Sequence, residues 1–109
     1  MPRTGKHQWK IIWEAKVPKQ IDKLPDEKLR QAVFDSLAEL CQMENPLRYN
    51  GISSVRKFPG IWRIHVEYRE HIYRVLFRLE PGKLVIQDIE YKGHLRVFHV
   101  GPKKDDPYR

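Results

Sequence analysis

Between Trp62 and Leu79 apolar and polar residues alternate with a period of two, the signature of half-buried strands. In a strand over Trp62–Tyr68, Trp62, Ile64, Val66 and Tyr68 share one face, while Arg63, His65 and Glu67 share the other. After a turn around Glu70 and His71, a second strand over Ile72–Leu79 places Tyr73, Val75, Phe77 and Leu79 on an apolar face. Arg74 and Arg78 project from the opposite face. Two such neighbours would share one greasy side for a core and one cationic side carrying a histidine.

Elsewhere the period changes to that of a helix. Leu29, Val33, Leu37 and Leu40 recur at i, i+4, i+8 and i+11, after Pro25-Asp26-Glu27 and before Asn45-Pro46. A shorter helical pattern runs from Glu14, with Val17, Ile21 and Leu24 on one side; Pro18 fits only in its first turn. Gln8–Trp13 reads as a strand, Ile52–Phe58 as a short irregular one, and Glu80-Pro81-Gly82-Lys83 as a turn. Leu84–Tyr91 follows as a strand apolar enough to be central, and Leu95–Val100 as the last. The expected fold is α+β. An N-terminal strand and a helix hairpin pack on a mainly antiparallel sheet of four to five strands. Residues 1–7 read as a basic tail, 8–100 as one domain and 101–109 as a polar tail.

Charge sharpens this picture. The 109-residue chain carries a formal +7, spread unevenly. Residues 1–24 are net +4 and 45–79 net +5, while 25–44, which hold the long helix, are net −3. Such a distribution suits a nucleic acid or an acidic partner, although a basic but ordinary surface fits as well. Cys41 is the only cysteine and lies beside the helical stripe, so it reads as a buried structural thiol, and no internal disulfide is possible. The five histidines lack metal-ligand spacing, and no glycine-rich phosphate loop or nucleophile elbow is present. No metal or cofactor is expected. No apolar run is long enough to span a membrane, and the expected location is the cytoplasm.

The remaining chemistry is that of arginine, histidine and aromatics on strands. Metal-free RNA cleavage needs a base for the ribose 2′-OH, cations for the phosphorane-like transition state, and an acid for the leaving oxygen. Histidine and arginine can supply these functions. Arg63, Arg69 and Arg78, each taken singly, read more simply as solvated charges. Arg74, set in an apolar strand, reads as function and structure equally. His7, His71 and His99 read as surface groups, and most aromatics as core, with Tyr91 and Phe98 the better base-stacking candidates. The residues alone therefore reach a basic α+β domain with RNA among its candidate ligands.

Four segments in order resemble the RelE/ParE toxin superfamily, especially its RelE- and HigB-like branches. They are the helix hairpin from Ala15 through Pro25 to Asn45-Pro46, Val55–Val66, Ile72-Tyr73-Arg74-Val75-Leu76-Phe77, and Lys92-Gly93-His94-Leu95-Arg96-Val97-Phe98. The resemblance implies a RelE-like fold and the toxin of a type II toxin-antitoxin system. That toxin would be a metal-independent endoribonuclease cutting mRNA on the ribosome, held inactive by a cognate antitoxin. By position, Arg74 would stabilise the scissile phosphate. Arg63 and His65 would serve as phosphate contact and base, and His94 and Arg96 would supply the closing cation or acid. Arg56, Lys57, Arg78, Tyr91, Lys92 and Phe98 would contact RNA. Phe98 departs from the family's usual tyrosine and could stack but not transfer a proton. His65 stands where lysine is common. The gyrase-inhibiting ParE-like branch shares the fold, and an inactive basic binding module is the third alternative.

Overall fold

A computed structural model describes residues 3–5 and 7–108. Its strands are β1 (Arg3–Thr4), β2 (Lys10–Trp13), β3 (Ser53–Ser54), β4 (Ile61–Tyr68), β5 (His71–Ile86) and β6 (Ile89–Pro102). Helices α1 (Val17–Asp22) and α2 (Glu27–Gln42) lie between β2 and β3. The α+β class is as expected. The sheet is mixed: β3–β4, β4–β5 and β5–β6 pair antiparallel, whereas β1 and β2 both run parallel to β6 along one edge.

Local chemistry explains the helices. Pro18 falls in the first turn of α1, where its missing N–H costs nothing. Asp26 caps α2 by accepting from the Lys28 N–H at 2.7 Å, and Glu27 faces the positive dipole end. Asn45 then caps a 3-10 turn at Pro46–Arg48, which ends the helical run. The stripe Leu29, Val33, Leu37 and Leu40 is fully buried and meets Ile64, Val66, Val75 and Phe77 from the sheet. Burial of each such side chain contributes roughly 1.5–3 kcal/mol. Cys41 joins this core, and burial pushes its thiol pKa up to about 12.

Several boundaries differ from the sequence reading. Pro81-Gly82 is not a turn but a bulge inside one 16-residue strand: Pro81 pairs with Gly93 and Leu84 with Tyr91, leaving two residues of β5 opposite one of β6. The turn lies instead at Gln87-Asp88, both with positive φ (49° and 65°), the geometry of a two-residue hairpin. Val85 and Ile86 are therefore 49% and 37% exposed near a hairpin tip, and the central strands are the inner halves of β5 and β6. Ile52–Phe58 forms only the two-residue β3, and Gln8–Trp13 only Lys10–Trp13. Arg3–Thr4, expected within a tail, pairs with Ile89 and Glu90.

Beyond β2 the edge of β6 is closed by α1. The Gln20 side chain accepts the Val100 N–H at 2.8 Å and lies 3.4 Å from His99 Nδ1. His99, expected at the surface, is 6% exposed. Residues 101–108, expected as a polar tail, finish β6, form a 3-10 turn at Lys103–Asp105 and return over the open face of the sheet.

Candidate anion-binding site

The helices cover one face of the sheet, and the opposite face carries the cationic residues. Period-two alternation puts Arg63 and His65 on that face of β4, roughly 6–7 Å apart along the strand. His65 is in register with Arg74 of β5, which is in register with Gly101 of β6. The chain reversal after Pro102 brings Asp106 onto this cluster. Its Oδ2 accepts from Arg63 Nη1 at 2.9 Å and from Arg74 Nη1 at 2.7 Å, and Oδ1 accepts the Tyr108 N–H at 2.8 Å.

The cluster is nearly dry. Side-chain exposure is 12% for Arg63, 10% for Arg74 and 0% for Asp106. Burial pushes the Asp106 carboxyl up, but the Tyr108 amide, the Arg74 hydrogen bond and the two guanidinium charges outweigh it and hold it below the usual range. Two cations share one anion. Among the described residues, Arg63 Nε and Arg74 Nε are buried without an acceptor. His65 is exposed at the margin, yet partial burial and the charges of Arg74, Arg63 and Lys103 lower its pKa, favouring the neutral ring.

The structure brings together Arg63, His65 and Arg74. Arg78 lies farther along β5, its guanidinium 5.5 Å from the Phe98 ring centroid. Phe98 is 8% exposed, in a small second core with Val55, Ile61 and Leu76. His94 and Arg96 are not part of the cluster. His94 is in register with Glu80, six residues and roughly 20 Å along β5 from Arg74. Arg96 Nε donates to Glu80 at 3.0 Å. Tyr91 and Lys92 sit on the hairpin, with Lys10 over the Tyr91 ring and Lys92 3.5 Å from Glu44. Arg56 and Lys57 are exposed in the turn before β4.

The residues that sequence reasoning missed belong to the returning segment. Tyr108 packs on Phe58, with ring centroids 4.6 Å apart, and edge-on to Phe98 at 6.3 Å. Asp106 was foreshadowed only by Arg74, since a charge in an apolar strand wants a counter-charge; nothing singled it out among the 14 acidic residues. Beside the cluster, a cavity of about 290 Å³ is lined by Gln20, Leu24, Tyr73, His99, Gly101 and Asp105, among others. His99 Nε2 is buried there without a partner, 3.3 Å from where a Gly101 Cβ would stand.

Among the described residues, no group of three or more His, Cys, Asp or Glu side chains is placed to hold a metal ion. Nor is any helix long and apolar enough to cross a membrane. Compared with known proteins, the chain matches no family model and no curated protein.

Proposed function

We propose that the protein is a RelE-like toxin of a type II toxin-antitoxin system, a cytoplasmic ribosome-dependent mRNA endonuclease restrained by a cognate antitoxin. The observation that carries this reading is the convergence of Arg63, His65 and Arg74 on the open sheet face around a single carboxylate. Two guanidiniums can stabilise charge growing on a scissile phosphate, and a histidine favoured neutral can accept the 2′-OH proton. His94 and Arg96 stand too far along the sheet to serve this cluster as the closing acid. Arg78 is exposed where RNA approaching the cluster along β5 would meet charge.

A second reading, a basic binding module that cuts nothing, draws on one specific observation: Arg63 and Arg74 are buried and already paired. Primer extension on messenger from a cell-free translation reaction, with and without ribosomes, separates the two. His65→Ala is the diagnostic variant because its side chain is exposed and the fold does not depend on it. Ribosome-dependent cuts that disappear in His65→Ala support the enzyme. Intact messenger with unaffected translation would sink it and make a gyrase supercoiling assay the next measurement.

A further inference from the structure

We propose that Asp106 occupies the seat of a phosphate in the Arg63–Arg74 clamp, and that residues 103–108 form a strap which an RNA phosphodiester must displace. The identity of the ligand rests on the RNA reading above; the displacement rests on geometry alone.

The carboxylate is an incomplete partner for what surrounds it. A guanidinium presents a planar fork that pairs two N–H groups with one oxyanion. Here each arginine spends one Nη1 bond on the same Asp106 oxygen. Both Nε–H groups remain buried without an acceptor. A phosphodiester brings two non-bridging oxygens, neither of them committed to the strap's own backbone, and can satisfy these donors, which a carboxylate with its other oxygen held by the Tyr108 N–H cannot. Two arginines against one aspartate leave the buried cluster net positive, and the nearby Lys103 adds to that field, so the seat still attracts an anion once Asp106 lifts away.

Much of the strap faces solvent: Lys103, Lys104, Asp105 and Pro107 are exposed. Its buried anchors are the Asp106 bonds and the Tyr108 ring on Phe58 and Phe98, with Lys104 making a further interaction. Lifting it would uncover the clamp and the Phe98 ring together, an oxyanion seat beside a stacking surface, which is the pairing that single-stranded RNA requires. With the strap down, arginine side chains only 10% and 12% exposed cannot clamp an external phosphate.

Two measurements test this. In the unmodified protein, ¹⁵N NMR titration with a short 5′-hydroxyl oligoribonucleotide, and separately with inorganic pyrophosphate, should shift the Asp106 and Tyr108 amides and remove the Tyr108 N–H from exchange protection. Val75 and Phe77 should stay protected. In the double variant Phe58→Cys/Tyr108→Cys, a disulfide would pin the strap; the buried Cys41 thiol does not compete. The oxidised form should bind the oligoribonucleotide about tenfold more weakly or worse than the reduced form, with reductant restoring binding. A response to pyrophosphate but not to the oligoribonucleotide would show an anion seat without RNA as its occupant, overturning the ligand assignment. Equal affinity in both redox states, no binding in either, or a Tyr108 amide still protected in the bound state would overturn the strap. Ribosome-dependent cutting that persists in the pinned form would do so while leaving the endonuclease intact. Displacement without any cutting would instead remove the endonuclease and leave the strap.

Discussion

Replacing Asp106 with alanine should be among the most damaging single changes outside the apolar core. The side chain is fully buried and is the counter-charge of two guanidiniums that are 10% and 12% exposed. Removing one partner of a buried ion pair costs about 3–5 kcal/mol, because the charge left behind stays desolvated. Both arginines lie close enough to the surface to swing partly into water, which favours the lower end of that range. The lost Tyr108 amide bond adds about 1 kcal/mol. We expect a loss of about 3–4 kcal/mol, a large share of the roughly 5–15 kcal/mol that holds a domain together. Urea titration followed by tryptophan fluorescence measures it, and an unchanged m-value would confirm that the same surface unfolds. Substituting the whole cluster, Arg63→Met/Arg74→Met/Asp106→Leu, should cost much less, since no charge is stranded. The pH dependence follows from the carboxyl being held below its ordinary 3.8 in the fold. Its contribution is present above that value and is lost as pH falls through the lower folded one, so Asp106→Ala should flatten the stability profile on the acid side. A loss under about 1 kcal/mol for Asp106→Ala would refute the reasoning, because the arginines would then have to be solvated without it.

Other expectations concern separate parts of the fold. Gly93→Ala would set a Cβ 2.3 Å from the Glu80 carbonyl oxygen and 2.8 Å from the Trp9 ring, at a φ of 157°, so thermal unfolding should show a loss of about 3 kcal/mol or more. Phe77→Ala, which empties the largest fully buried side chain, should cost about 3–5 kcal/mol by the same measurement. Burial and nearby Lys16 lower the pKa of His99 from 6.5, so its stabilising effect is complete above that value and is lost as pH falls below it. Urea midpoints should therefore drop on acidification, and His99→Gln should reduce the drop. Cys41, with its thiol pKa near 12, should resist a thiol-reactive dye in the folded protein and react on unfolding.

The parts of this molecule that were legible in its sequence are those set by local periodicity. The alternation of β4 and of the inner half of β5 identified the residues on each face, and the stripe of α2 identified its buried side. The hairpin was not legible because Pro-Gly is stronger local punctuation than Gln-Asp, and the bulge that absorbs Pro81 depends on Gly93 accepting a close approach from Glu80 across the ladder. His99 reads as a surface group because it is a lone polar residue between Phe98 and Val100, yet it lies buried where Gln20 of α1 closes the neighbouring edge. The cluster was half legible. Arg63, His65 and Arg74 follow from strand register, whereas Asp106 arrives through a chain reversal 32 residues after Arg74. His94 and Arg96 were misplaced because a continuous β6 carries them toward the hairpin and away from the arginines.

The parallel seam between β2 and β6 has a consequence for the birth of the protein. Lys10 finds its partner in His94, and the charge cluster closes through Asp106 later still. A ribosome making this chain releases β2 long before the strand it pairs with emerges. Until then Ile11, Ile12 and Trp13 have no sheet edge to join, and Arg63 and Arg74 lack their counter-charge. Contacts of such sequence separation fold slowly. The nascent sheet therefore stays incomplete, and prone to engage other chains, until β6 has emerged.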